Sequence, residues 1–455
     1  MTMKAGFAKA DITPEVGVEL AGFGPYLKRR STGIRDRLWA KAMALEAGGG
    51  RVVIVGCDLI GVPTAATARV RLLVTAATGL PGDALMICCS HTHSGPNPTA
   101  DQLFGWGEPD PFYVETLPHK IARAAIAALE RLEEAELAHA NPPCEGIGLN
   151  REYDRDAPPL DEVLRDNWRP AKPELTDTRC HVLTARTPAG RLLGFAAYFG
   201  CHPVVCCAET HAIHGDFVGV AMNLLERENP GAVGLFIQGA QGDVNSCVVH
   251  KPEPESLLAL DVIAARFANA VRAGLAAAQP VVVEAVTHLR RDLAFSLRQS
   301  PLADLKAQLK TKEAFLREQV LDQAAAATHD QRFELVVITA LRQLIAVREA
   351  GGGAARPAEV QGLRFGPVEI LASGFELFQA IKNEVVAQTR GPITLVAGVS
   401  NEIHGYAVDR RKAREGGYAA QIVPLLAAGT EPYRDIQGEL TTALTTLSRD
   451  LADAR

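Results

Sequence analysis

The chain has 455 residues, 47% of them apolar, enough for one large core or two. Its net charge of -6 comes from interspersed acids and bases with no long block of one sign, which excludes a nucleic-acid footprint. No apolar run reaches the length of a membrane span, so stable membrane insertion is not expected. The N-terminus, Met1 to Ala8, lacks the apolar stretch of a secretory leader. The nine cysteines include the neighbours Cys88-Cys89 and Cys206-Cys207 but no Cys-x-x-Cys spacing. Free, buried thiols and a cytoplasmic location are the expectation.

In chain order, Arg51 to Asp58 reads as a buried strand ending in an aspartate. A second apolar run, Ala84-Leu85-Met86-Ile87, leads into Cys88-Cys89-Ser90-His91-Thr92-His93-Ser94-Gly95-Pro96. Gly95-Pro96 ends regular structure there. Leu117 to Leu137 has helical spacing, and Asn141 to Pro173, with six prolines, reads as a long surface excursion able to serve as a lid or subunit contact. Another strand-like run, Leu193 to Phe199, ends in Gly200-Cys201-His202-Pro203. Helices are expected near Val218 to Glu228 and over Leu257 to Ala278, with a strand over Val281 to Val286.

Pro301 to Ala346 reads as a helical pair, and Gly351-Gly352-Gly353 as the loop after it. Residues 301–350 are therefore the candidate helical insertion in an otherwise single domain spanning 1–455. A hairpin docked on that domain describes the same pattern. Val368 to Ala372 and Ile393 to Gly398 are two further strands around a helix. The alternation predicts an α/β fold, a mixed sheet flanked by helices.

Chemistry-bearing side chains gather where strands end. His91 and His93, two apart, can offer both imidazoles to one metal or one substrate. His202 follows the second run, Glu376 the strand at Val368, and His404 and Tyr406 the strand at Ile393. Strand ends are where α/β folds usually bind ligands. Two histidines and a carboxylate make a common catalytic zinc set, and the water on such a zinc has a pKa of about 7. Each residue alone has an ordinary explanation: a loop or core histidine, a helix-terminal glutamate, a packed tyrosine.

Taken in order, several motifs resemble the neutral/alkaline ceramidase family. They are Ala8 to Pro14, Leu20-Ala21-Gly22-Phe23-Gly24, Cys57-Asp58, Ser90 to Pro96, Asn150-Arg151, Cys201 to Val204, and Gln238-Gly239-Ala240-Gln241-Gly242-Asp243-Val244. The resemblance implies a zinc-dependent amide hydrolase, Zn2+ being held by His91, His202, Glu376 and Tyr406. It puts His93 beside the substrate carbonyl as a donor or proton shuttle, and Arg151 near the substrate. From its own sequence context Arg151 would be a solvated loop charge. Asp243 joins His93 as a candidate to manage protons, and Tyr406 could also support developing negative charge.

Two departures from the family pattern matter. The glutamate stands in Gly374-Phe375-Glu376 where the family usually has Pro-Gly-Glu. Gly239 occupies the position assigned to a serine considered catalytic, which leaves zinc-activated water as nucleophile and Ser246 some residues away. The expected substrate is a small-molecule amide, with a homo-oligomer allowed for. Two rival readings are an ester or lactone hydrolase on the same fold and a non-catalytic, metal-stabilised binding protein.

Overall fold

A computed structural model of the chain describes residues 3–99, 102, 105–154, 158–319, 327–353 and 355–454. Three sheets carry the site. The first runs in the order Leu85–Cys89, Gly50–Cys57, Trp39–Ala47, Lys4–Asp11, Glu133–Glu134. The second runs Val233–Gln238, Leu192–Phe199, His181–Arg186, Glu136–Ala140, Gln279–Val281. The third runs Val286–Leu293, Ala358–Phe365, Val368–Ser373, Ile393–Ala397.

Each sheet is mostly antiparallel but holds one parallel pair: Gly50–Cys57 with Leu85–Cys89, Leu192–Phe199 with Val233–Gln238, and Val368–Ser373 with Ile393–Ala397. Those pairs are buried throughout or nearly so, as the long apolar runs require. A parallel pair needs a crossover, and it places two chain exits at one sheet end. The site is assembled at such exits.

Helices Thr64–Thr78 and Pro111–Glu130 pack on the first sheet, whose core residues also meet Leu235 and Ile237 of the second. Asp216–Glu228 and Glu253–Ala277 bury their apolar faces on the second sheet through Phe217, Phe267 and Leu260. Ile436–Asp453 covers the third through Leu440, Leu444 and Leu447. Fully burying each such side chain contributes roughly 1.5–3 kcal/mol. The nine cysteines are buried and unbridged. Among the described residues no helix is long and apolar enough to cross a membrane.

Several local expectations are corrected. The helix read at Leu117 to Leu137 starts earlier, at Pro111, where Asp110 caps it and proline occupies its first turn, and it stops at Glu130. Residues 136–140 are instead a strand. The strand read at Val281 to Val286 is two strand ends belonging to different sheets, meeting at that turn. The 141–173 excursion contains the short strand Gly148–Asn150, which pairs with Val244–Ser246 and carries Arg151 inward; residues 155–157 of it lie outside the described ones.

The helical pair is Leu302–Gln319 and His329–Glu349, the second opened by a Thr328/Gln331 capping box. It lies in the connection between Val286–Leu293 and Ala358–Phe365, which pair directly with each other. The two helices share a small core of their own, to which Leu425 adds.

Candidate active site

Four strand exits converge. His91 and His93 follow Leu85–Cys89, and His202 follows Leu192–Phe199. Glu376 lies just beyond Val368–Ser373, on the short strand Phe375–Leu377. That strand pairs in parallel with Gly405–Ala407, so Glu376 stands directly opposite Tyr406. Residues far apart in sequence thus meet within one wall.

The geometry is organised around Glu376. Its Oε2 lies 3.0 Å from His202 Nε2 and 3.3 Å from His91 Nε2. The other nitrogen of each ring is fixed from behind: His91 Nδ1 is 2.6 Å from the Ile60 carbonyl and His202 Nδ1 is 2.6 Å from that of Gln241. A carbonyl can only accept, so both rings place a proton on Nδ1 and turn Nε2 to the carboxylate. That is the arrangement by which proteins orient metal-binding histidines.

Burial lowers the imidazolium pKa of His202 to about 4, against the opposing bond to Glu376. Burial would raise the Glu376 carboxyl, but the two histidines outweigh it and hold the group well below the usual carboxylate range. An ionised carboxylate flanked by two imidazole nitrogens is a donor set that a divalent cation takes.

His93 differs from its neighbours. Both its ring nitrogens are buried and have no hydrogen-bond partner among the described residues. Ligand atoms of His91, His93 and His202 lie within 4.8 Å of one another, so three histidines are close enough to share an ion. Among the described residues, however, Glu376 pairs with His91 and His202 and not with His93. Burial, then the charges of those two rings, depress the His93 pKa well below its ordinary value. The ring packs edge-on to Phe23, with centroids 5.0 Å apart. Gly22 lies so close that a Cβ there would stand 2.5 Å from the imidazole, so only glycine fits.

Tyr406 and Arg151 form the opposite side. The Arg151 guanidinium lies 4.9 Å over the Tyr406 ring and donates from Nη2 to the Gly242 carbonyl at 2.7 Å. Burial would lower the Arg151 pKa, but Tyr406 and Glu376 raise it further, so the charge is secure. The solvated loop charge suggested by its immediate sequence context is thereby corrected. Arg151 is drawn inward because its own N–H bonds to the Asp243 carbonyl.

Asp243 is also placed differently from expectation. Its Oδ1 accepts from Gln379 N–H at 2.8 Å and its Oδ2 from the Asn150 amide at 2.9 Å. Burial raises its carboxyl to about 6, against those two hydrogen bonds. Both oxygens are occupied and it borders neither cavity, so Asp243 clamps the loops of Arg151 and Glu376 rather than moving protons with His93.

Gly239 is no position for a nucleophile of any kind. A Cβ there would meet Gly200 N and Tyr198 Cζ, each at 2.9 Å. Ser246 is buried, and its Oγ accepts from Val248 N–H. The residue of this loop that does reach the site is Asn245, bridged to His202 and bordering the cavity. Its one sequence signal is its place two residues after Asp243.

Arg29 was equally hidden, inside the basic run Leu27-Lys28-Arg29-Arg30. It is 2% exposed and donates to the carbonyls of Ala21, His93 and Thr210 at 2.9–3.0 Å.

Two spaces, sharing His93, Trp106, Tyr406 and Tyr418 in their walls, open from this centre. An inner one of about 70 Å³ is bordered by His91, His93, Glu376 and Tyr406, and an outer one of about 420 Å³ by His93, Arg151, His202 and Tyr406. His329 and Phe333, from the first turns of the second hairpin helix, close part of the outer wall.

The sequence profile for the N-terminal part of neutral/alkaline non-lysosomal ceramidases matches residues 3–253. Neutral ceramidase of Pseudomonas aeruginosa is 26% identical over 263 residues, which are 54% of this chain and 37% of that protein. The match thus spans well under half of that relative's length. Its crystal structure superposes with a TM-score of 0.75 at 18% identity, over 100% of this chain and 75% of that one. A ceramidase solved in complex with C2 gives 0.73 at 18% identity, over 100% and 76%. At those identities the structural likeness is one of fold.

Proposed function

Because the chain belongs to the neutral/alkaline non-lysosomal ceramidase family, we propose that it is a zinc-dependent hydrolase of a carboxamide bond. One observation carries the reading: Glu376 Oε2 sits between two Nε2 atoms whose rings are each fixed from behind by a carbonyl, at the edge of a cavity. Two imidazoles and a carboxylate suit zinc. His91, His202 and Glu376 would hold it, with Tyr406 presented from the paired strand as a further oxygen ligand. Zinc bound there would supply Lewis acidity and a water acidified to a pKa of about 7.

The chain's own groups divide the remaining work. His93, with no hydrogen-bond partner among the described residues, is the group free to donate to the substrate carbonyl oxygen or to relay a proton. Arg151 orients the Tyr406 phenol and keeps positive charge where negative charge develops. Neither Gly239 nor Ser246 offers the cavity a hydroxyl, so direct attack by water is the economical route.

The test is to load the full chain with zinc and assay matched amide and ester substrates. Cleavage of amides that is lost on chelation and regained with zinc supports the reading. Cleavage of the esters alone would shift it to an esterase, and retained zinc with no turnover of either would leave a metal-stabilised binding protein.

A further inference from the structure

Four arginines from three parts of the chain border one surface cavity, and three of them have no acidic partner among the described residues. We infer that this cavity is a second binding site, for a phosphate monoester, and that its occupant holds the segment between Tyr406 and Tyr418.

The cavity, of about 230 Å³, is bordered by Arg298, Arg410, Arg414 and Arg434, and it shares no lining residue with either space of the active site. The chain's net charge is -6, so an overall excess of cations does not account for the cluster. Local structure does. Arg410 and Arg414 lie four apart on the helix Arg410–Glu415 and so share one face. The other cations of that helix turn elsewhere: Arg411 pairs with Glu415 at 2.7 Å and lies over the Tyr153 ring, and Lys412 pairs with Glu152 at 2.6 Å. Arg298 and Arg434 come from two stretches joined by the antiparallel bridge between Leu297 and Tyr433. Leu297 and Tyr433 are buried, and the alternation of extended chain turns their neighbours Arg298 and Arg434 the other way, on one side.

Like charges four apart destabilise a helix, and two further guanidiniums add to the repulsion. The acids at hand answer one of the four: Asp435 is 3.3 Å and Glu384 3.9 Å from Arg410. Arg298, Arg414 and Arg434 make no side-chain hydrogen bond or ion pair to any described residue. Asp435 is further engaged in capping Ile436–Asp453, whose first turn borders the cavity and adds the positive end of its dipole. A guanidinium is a planar fork that matches carboxylate or phosphate oxygens in pairs. A carboxylate offers two oxygens to three free forks, whereas a phosphate monoester offers three and a second negative charge. Val408, Ala413 and Ile436 give the carbon part of the ester an apolar floor.

Val408 directly follows the strand Gly405–Ala407, which carries Tyr406. Gly416 and Gly417, with φ +76° and +87°, lead from the helix to Tyr418. Both tyrosines border both spaces of the active site. An anion that bridges Arg410 and Arg414 to Arg298 and Arg434 therefore ties down the stretch joining the two phenols.

The experiment titrates the full chain with glycerol phosphate by calorimetry, with zinc bound and with zinc removed, and follows amide hydrogen exchange over residues 408–417. The expected result is one ester bound per chain in both states. Arg414→Gln and Arg434→Gln should each weaken it at least ~5-fold. Arg227→Gln, which removes the same charge from the exposed end of the helix Asp216–Glu228, should leave it unchanged. Exchange over 408–417 should slow on binding in the parent and not in Arg434→Gln. Vesicles of phosphatidylcholine and phosphatidic acid offer the same phosphate group in a membrane; retention of the parent on them, lost in Arg434→Gln, with no binding of the free ester, would assign the site to a lipid headgroup. Binding that requires zinc would place the anion on the metal and overturn the site, and so would equal weakening by all three variants or no binding of either probe. Unslowed exchange with binding intact would overturn the hold on the segment. Neither readout depends on turnover, so the site is tested apart from the hydrolase reading.

Discussion

Replacing Arg29 by lysine keeps a positive charge in the same buried place but removes the planar fork. The guanidinium ties three separate loops together by donating to Ala21, His93 and Thr210 carbonyls, and its Cζ lies 4.8 Å from the Phe23 ring centre. An ammonium on a flexible stem can satisfy one of those carbonyls well but not all three. Two lost bonds to a charged donor, at roughly 1.5–3 kcal/mol each, predict a stability loss of about 3–6 kcal/mol. Because burial lowers the Arg29 pKa only to about 10, the native side chain stays charged at neutral pH and the bonds are charge-assisted throughout. The His93 main chain is one of the three anchors, so its ring should lose its seat against Gly22 and Phe23. A displacement of about 1 Å at such a group costs on the order of 10²-fold in rate. Guanidinium chloride unfolding of the zinc-loaded protein measures the first effect, and kcat at constant zinc content measures the second. An Arg29→Lys chain within about 0.5 kcal/mol of the parent, with full kcat, would refute the argument.

Other outcomes follow from the same geometry. His91→Ala and His202→Ala should lose both zinc and activity, whereas His93→Ala should keep zinc and lose about 10²–10³ in turnover; metal analysis beside kinetics checks this, and loss of zinc from His93→Ala would reverse the assignment. Turnover should show no burst of product and no capture by added amines, and Ser246→Ala should match the parent; a stable acyl adduct seen by intact mass would contradict direct attack by water. Far from the site, His181 lies 3.0 Å from His139, and burial, then the His139 charge, lowers its pKa to about 3. A neutral buried histidine contributes stability that is present above its unfolded pKa of about 6.5 and is lost as pH falls below that value. Between pH 7 and pH 5 that loss is about 2 kcal/mol. The His181→Gln chain should therefore lose about that much less than the parent over the same interval, by denaturant unfolding at the two pH values; equal losses would sink the linkage.

The four residues proposed to hold the metal were legible because each announces itself locally. His91 and His202 end apolar runs at Gly or Pro, and Glu376 and Tyr406 follow two strands with the same pattern. What could not be read is how the exits meet. The pairing that sets Glu376 opposite Tyr406 is a three-residue parallel ladder between segments about thirty residues apart, too short to leave a periodic signal. Asp243 was misjudged for a related reason. An aspartate after glycine looks like a free loop acid, and only the long-range partners Asn150 and Gln379 reveal a clamp. Arg29 and Arg151 were hidden by their basic or polar neighbours, since burial of a charge depends on distant carbonyls and rings. The strand read at Val281 failed because two strand ends from different sheets abut in sequence and give one apolar run.

The same long-range character explains why the site tolerates strain. His91 has φ +71° and Val399, a β-branched residue, has φ +48°, a conformation that such residues rarely adopt. Both line the inner space. Neither would hold this conformation on its own loop, but each is fixed from more than one side. His91 N–H donates to the Leu59 carbonyl, and Val399 N–H donates to Phe375 while its carbonyl accepts from Cys89. Those last two bonds join the strand that delivers His91 to the strand that delivers Glu376. Strain of about 1–3 kcal/mol at each residue is offset by hydrogen bonds that exist only when both strands are in place. His91, Glu376 and the cavity wall at Val399 are thus set by one interlock, so a change at Val399 should disturb the histidine–glutamate pair more than a change at Leu426.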